Sequence, residues 1–430
     1  MAAQASGSFL STLLAGAAPG GARQWLKQLR ANALERANAL SAPTTRDEDW
    51  RFTDLTPLYR LALHAPGESG AVDVEAHRIA EAGSRLVFVN GAFREDLSEG
   101  IGDSGLEVVR LRGEFADAAW LSAHLGQIAA FAQDAFVAAN TAAMSDAVAV
   151  RVPRGVTIDK PLHCLFLNTE ANAVSHPRLL VVAESGSDML FVEDHIGTVD
   201  GAYCANAVVE IAVAENAEVR HVRLQREGKA AYHIGTSAAS VARDGRYRCW
   251  SVAMGARLSR HNANVRQDGE GTHFEMDGLA LLGTRQLADT HSFIDHARAH
   301  GTSRQMHKCV VADGAHAVFN GRILVREGAQ QTNSAQESRN LLLSDKARVD
   351  TKPQLEIFAD DVKCAHGATV GQLEAEEVFY LRSRGLAEPE ARNLLTYAFA
   401  ADMVVRIPVP SVVRALQARI IERTGGPEIP

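Results

Sequence analysis

The chain has 430 residues, a formal net charge of −8 and 46% apolar residues, yet only 6% are aromatic and 34 are glycine. Its 44 basic and 52 acidic residues are interspersed, so no basic arm invites nucleic acid, and no apolar run approaches the roughly 20 residues of a membrane span. Small residues with few large rings suit thin stacked layers better than one thick core, and this length predicts two or three structural units.

An apolar patch from Phe9 to Ala18 has no positive segment before it, and it reads as the start of a helical domain, not a signal peptide. The expected compartment is therefore cytoplasmic. From Arg23 to Leu40, Trp25, Leu26, Leu29, Ala33, Leu34 and Ala37 fall at helical spacing, and Pro43 ends the helix. A polar segment, Asp49-Trp50-Arg51-Phe52-Thr53, follows, then a short strand from Arg85 to Gly91 and a helical stretch from about Trp120 to Ala139. Residues 1–145 thus form a mainly helical domain.

Near Val148 helical periodicity gives way to short Val/Leu/Ile-rich runs punctuated by Gly, Asn and Asp, and this continues to about Val370. Blocks beginning at Asp188, Glu218 and Arg248 recur, and they return out of register at Ala315 and Ala347. A period of this size with strands in each unit predicts a right-handed parallel β-helix over residues 146–372, against the alternative of a β-sandwich. After Gly371 helical spacing resumes. Gly385 divides two pieces, Pro389 stands in a first turn, and a last helix runs from about Pro410 to Arg423. The fold expected is mainly β, with helical domains at 1–145 and 373–430 flanking and capping the solenoid.

Chemistry concentrates in Lys363-Cys364-Ala365-His366-Gly367. In an extended strand Cys364 and His366 project from one face, a thiol and an imidazole forming half of a site for a soft or borderline metal. Two donors do not complete four-coordination, so the remaining ligands must come from elsewhere, another chain included. Packing of a buried thiol beside a hydrogen-bonded ring is the plainer alternative. His291, His296 and His300, with Asp289 and Asp295, have spacings that match no single face, and they read as turn and core histidines. The loop Asp268-Gly269-Glu270-Gly271-Thr272 is acidic and lacks a following Lys-Ser/Thr, so it is no phosphate cradle. Neither a P-loop nor a G-x-S-x-G elbow occurs, so any ATP hydrolysis belongs to a partner. Five cysteines, at 164, 204, 249, 309 and 364, include no C-x-x-C pair and read mainly as small buried hydrophobes. The segment from Glu374 to Arg392 is an amphipathic face, either solvated or used for docking.

The run from Asp350-Thr351-Lys352-Pro353-Gln354 through Cys364-Ala365-His366-Gly367-Ala368-Thr369-Val370-Gly371 resembles the SufB/SufD family of iron–sulfur cluster assembly scaffolds. So do Phe379-Tyr380-Leu381-Arg382-Ser383-Arg384-Gly385, Asp49-Trp50-Arg51-Phe52-Thr53 and Ala317-Val318-Phe319-Asn320-Gly321. The SufD branch fits better than the SufB branch. SufB-like chains carry a cysteine shortly before the strand matching Leu341-Leu342-Leu343, where Gln336-Glu337-Ser338-Arg339-Asn340 stands here.

The resemblance implies a non-catalytic scaffold whose β-helix pairs with that of a SufB-like subunit and whose C-terminal helices hold a SufC-like ABC ATPase. It implies that His366 is the metal ligand gripping a transient iron–sulfur cluster at the subunit interface, with Cys364 beside it in a less defined role. Self-association of the isolated chain stays open. The rival readings are a SufB-like paralogue, a carbohydrate-active β-helix enzyme and an interaction solenoid without metal chemistry.

Overall fold

The computed structural model describes residues 9–14, 23–67, 70, 72–102, 104–112, 115, 118–144 and 146–424. Of the apolar stretch expected to open the chain, residues 9–13 are helical and residues 15–18 lie outside the described set, as do 425–430. The next helix, Gln24–Ala39, is one residue shorter at each end than its spacing suggested.

The stretch expected as one helix from Trp120 to Ala139 is instead two, Ala119–His124 and Ala135–Ala143. Gly126 breaks it with φ +75°. The backbone N–H groups of Gly126, Ile128 and Ala129 turn inward and donate to the fully buried Glu210 carboxylate, which Arg178 also meets at 2.6 Å. A buried anion with that many donors outweighs the local helical preference. Asp134 restarts the helix by accepting from the N–H groups of Phe136 and Val137.

From Ser84 onward the strands build a β-solenoid of about eight turns from two ten-stranded sheets, parallel except where Ser84–Val89 meets Ala92–Phe93 and Glu107–Leu111 meets Ala147–Val152. On the first sheet Asp188 pairs with Glu218, Glu218 with Arg246, Arg246 with His273, His273 with Thr302, Thr302 with Asn333 and Asn333 with Lys363. The turns therefore differ in length by a few residues, which is why the sequence repeat drifts. Asp188 and Glu218 do begin equivalent strands, but their next equivalent is Arg246, not Arg248. The blocks near Ala315 and Ala347 belong to the opposite sheet, where His316 pairs with Arg348.

One corner of the solenoid is a ladder of left-handed residues: Gly155, Gly186, Asn216, Asp244, Gly271, His300 and Gln331 all have positive φ. From Gly186 onward each donates its N–H to a carbonyl one turn ahead, as Asn216 does to Arg243 and His300 to Gln330. Gly, Asn and Asp tolerate this conformation best, and they account for five of the seven positions.

Inward-facing side chains from both sheets form a thin apolar core that includes Phe191, Val209, Val219, Phe274, Ile294 and Ile323. The N-terminal helices cover the entry turns and part of the second sheet's outer face, where Leu58 and Phe136 meet Tyr232, Ile234 and Leu258. Helices Ala375–Ser383, Glu388–Val404 and Pro410–Thr424 follow the last strand. The last two fold back over the outer face of the first sheet, packing Met403, Val404, Ile407, Leu416 and Ile420 on Val222, Leu224, Trp250, Leu279 and Leu281. Burying such side chains stabilises by roughly 1.5–3 kcal/mol each. Lys308 locks Asp402 at 2.7 Å, and Arg423 donates to the Leu281 carbonyl.

The C-terminal helices therefore buttress the side of the solenoid and do not cap its end. The final strands of the two sheets, Arg348–Ile357 and Lys363–Gly371, each have a neighbour on one side only. Apolar Ile357, Phe358 and Val370 are 41%, 64% and 46% exposed there.

Candidate functional site

The open end carries the residues singled out in the sequence. Lys363–Gly371 pairs in parallel with Asn333–Leu342, setting Cys364 on Ser334 and His366 on Gln336. Ser334 and Gln336 are buried and face the solenoid interior, so Cys364 and His366 share that inward face. No further turn lies over them. His366 is consequently exposed at the mouth, while Cys364 is half-buried against the apolar core. Burial pushes the Cys364 thiol up, and the Ser334 backbone N–H works against that rise. The other four cysteines are fully buried, as expected of small hydrophobes.

A polar column descends from each residue. Below Cys364, Ser334 Oγ meets Ser303 Oγ at 2.7 Å, Ser303 meets His296 Nε2 at 2.9 Å, and His296 Nδ1 meets Gln267 Oε1 at 2.9 Å. Below His366, Gln336 Nε2 donates to Gln305 Oε1 at 2.8 Å. The sequence marked Cys364 and His366 but missed both columns. Their signal was present in the like parity of Ser334, Gln336 and Ser338, readable only once the strand register is known.

The three histidines read as turn and core residues do not converge. His296 is the base of the serine column, His300 is a left-handed corner residue, and His291 faces outward with Nε2 3.1 Å from Asp289. Among the described residues, no group of three or more His, Cys, Asp or Glu side chains is arranged to hold a metal ion. Cys364 and His366 stand side by side on one strand face, with no third such group gathered round them among the described residues. The acidic loop at Asp268 is a surface turn held by Arg266 and Ser240.

Deeper in the solenoid lies a charged network that the sequence did not reveal. Glu193 receives His195 Nε2 at 2.6 Å and His221 Nε2 at 2.8 Å, with Arg223 Nε at 3.4 Å. Burial acts to raise this carboxyl, but hydrogen bonds from His195 and His221 and the Arg223 charge hold it well below the usual range. Arg223 also donates to His233 Nε2 at 2.6 Å, and His233 Nδ1 lies 2.7 Å from Glu227. Alternating polar residues in a strand ordinarily read as solvent-facing, which hid this inward set.

The segment around Asp49-Trp50-Arg51-Phe52-Thr53 straps the outer face of the second sheet. Thr53 Oγ1 meets Asp289 Oδ2 at 2.5 Å, Arg260 bridges Asp289 and the Asp49 carbonyl, and Trp50 lies 4.3 Å from the Arg260 guanidinium. Glu48 reaches Lys352 on the last strand at 2.6 Å. On the other side, helix Ala375–Ser383 buries only Val378 and leaves Phe379 and Tyr380 72% and 57% exposed. No helix among the described residues is long and apolar enough to cross a membrane.

These features define a helix-buttressed parallel β-solenoid with one open end bearing an imidazole and a thiol. Family models describe the two parts of the chain: the SufBD protein N-terminal region matches residues 19–164, and the SufBD core domain of the SUF iron–sulfur cluster assembly system matches residues 166–399. The chain belongs to the SufBD family of iron–sulfur cluster assembly proteins. It is similar to a SufBD family protein of Synechocystis, with 40% identity over 92% of this chain and 90% of the relative. Similarity to the iron–sulfur cluster assembly protein SufD of Escherichia coli is 31% over 94% and 93% of the two chains, in accord with the SufD branch. The chloroplastic protein ABCI7 of Arabidopsis thaliana is 32% identical over 89% of this chain and 83% of its own.

Proposed function

We propose that this protein is a non-catalytic scaffold subunit on which an iron–sulfur cluster is assembled between two solenoids, the cluster being cargo and not a resident cofactor. A SufB-like partner stacks its own β-helix on the open end, and His366 supplies one ligand to the nascent cluster, with Cys364 beside it. The observation that carries this reading is the uncapped last turn. It offers unpaired strand edges, exposed apolar side chains and an accessible imidazole in one place. Parallel sheets rarely leave such an edge bare, and a matching solenoid would pair both sheets at once. The thiol and ring together lack the donors to close a site, which agrees with ligands arriving from the partner.

The exposed Phe379 and Tyr380 suit docking of a SufC-like ABC ATPase, which would hydrolyse the ATP, and the proposed compartment is the cytoplasm. Deleting all the C-terminal helices would bare the first sheet's apolar face, so docking is better tested by Phe379→Asp, expected to abolish ATPase binding while the solenoid stays folded. The decisive experiment is anaerobic reconstitution of the complex with iron and sulfide. His366→Ala should leave the assembly intact by size-exclusion chromatography and lower cluster absorbance by about tenfold or more. Full absorbance in that variant would remove the ligand role.

A further inference from the structure

We infer that Gln336 is the positioning residue for His366: its side-chain carbonyl oxygen, without a partner in the described structure, takes the N–H of one ring nitrogen when the ring turns onto it, and so decides which nitrogen remains free for iron. The inference rests on the ligand reading given above for His366 and extends it one layer inward.

Four observations converge on Gln336. The parallel register sets it directly beneath His366, and both side chains take the inward face, so they are neighbours at the inter-strand spacing of about 4.8 Å. The orientation of its amide is fixed from below: Gln305 Oε1 already accepts from Ser292 Oγ at 3.0 Å, and Gln336 presents its Nε2 donor to the same oxygen at 2.8 Å. The other half of the amide is left over. Gln336 is 2% exposed, yet its Oε1 has no hydrogen-bond partner. A carbonyl oxygen in that state is an acceptor awaiting a donor. Finally, the facing sheet makes room for it with Gly321, where a Cβ would come within 2.6 Å of the Gln336 amide carbon and 2.7 Å of Oε1.

The column is confined to the mouth. Below Gln305 the same position is occupied by Met276 and then Cys249, so the amides serve only the last turns. Above Gln336 the next side chain is the ring of His366. A histidine that binds metal through one nitrogen commonly gives its other N–H to a carbonyl or carboxylate, which fixes tautomer and ring plane. A neutral amide oxygen does this without favouring the imidazolium form, which could not bind iron.

The test uses the full chain labelled with 15N-histidine, the His366 signals being those lost in His366→Ala. Long-range 1H–15N correlation spectra report the tautomer ratio of the ring. Gln336→Leu, which removes the acceptor, should change that ratio by about threefold or more, the range one net hydrogen bond supplies. Gln336→Met, close in shape and likewise without the carbonyl acceptor, should shift the ratio in the same direction. Thermal melts of both variants confirm that they fold. An unchanged ratio in Gln336→Leu overturns the inference. In the reconstituted complex Gln336→Leu should also lower cluster yield several-fold. Should His366→Ala leave the yield normal while the tautomer still follows Gln336, the ligand role fails and the positioning contact stands.

Discussion

Two polar regions inside the same solenoid differ in one respect. Around Glu193, mid-solenoid, the buried carboxylates of Glu193 and Glu227 meet the rings of His195, His221 and His233. At the mouth, Gln336 Oε1 lacks a partner and His366 has no turn above it. The buried carboxylates are thus paired where turns enclose them, whereas the last turn ends on an unpartnered amide oxygen and an exposed ring. Buried polar groups that complete one another hold a structure in one arrangement. An exposed ring at an open edge is available to a second molecule. Variants at the two places should therefore separate stability from the proposed role in cluster assembly.

The largest effect belongs to the enclosed network. Glu193→Ala leaves Arg223 without its anion and His195 and His221 without their acceptor, at a site where all four side chains are buried. Breaking such a pair costs about 3–5 kcal/mol, seen as a fall in the denaturation midpoint. His366→Ala at the mouth should stay within about 0.5 kcal/mol of wild type, as exposed substitutions do. Equal losses from the two would erase the distinction between enclosed and open regions.

Acid should act on the enclosed part next. Burial pulls His233, His296 and His307 down to about 4 from the usual 6.5, and the ring of His176 likewise. Between those values the unfolded chain binds protons that the folded chain refuses, so stability is full above about 6.5 and falls as pH drops toward 4. A fully buried ring contributes roughly 3 kcal/mol to that fall. The Glu193 carboxyl is depressed, so its share is full above the ordinary glutamate range and is lost progressively as pH falls below it. Denaturation midpoints measured from pH 7.5 to 4.5 should decline steadily, and His307→Asn should flatten the slope. A midpoint independent of pH over that range would contradict the neutral buried rings.

The legibility of these regions in the sequence follows the same division. The all-β span and the solenoid were readable because Val/Leu-rich runs and Gly, Asn or Asp corners recur at a nearly fixed distance. Register was not, because turns differ by a few residues and the two sheets interleave: Arg248, two residues past Arg246, was read as the equivalent of Glu218, and the blocks near Ala315 and Ala347 lie on the other sheet. The corner ladder of Gly186, Asn216, Asp244 and Gly271 was the better ruler, since each must take positive φ at the same place in its turn. Cys364 and His366 were readable as a pair sharing a face. The groups beneath them were not, since Ser303 and Gln305 lie some sixty residues earlier and meet the last strand's neighbours only through the parallel register. Capping also went differently. The C-terminal apolar stripe announces burial but not against which surface, and it lies on Leu224 and Leu279, leaving the end free.

The smallest effect expected is that of Cys364→Ala, and it sharpens the comparison within the mouth itself. Cys364 and His366 share a face, but the thiol is half-buried on apolar neighbours with its deprotonation opposed by burial, whereas the ring is exposed. A metal ligand must present a thiolate, so the environment of Cys364 favours the neutral, packing form. Removing one sulfur from a half-buried position should cost about 1 kcal/mol or less, and cluster yield in the reconstituted complex should fall by less than in His366→Ala. The serine column beneath Cys364 ends on the neutral ring of His296 and offers no charge to reverse that balance. A loss of yield in Cys364→Ala equal to that in His366→Ala, with the assembly intact, would mean that iron or a positive charge brought by the partner overcomes the effect of burial and ionises the thiol, making both residues ligands of the same cluster.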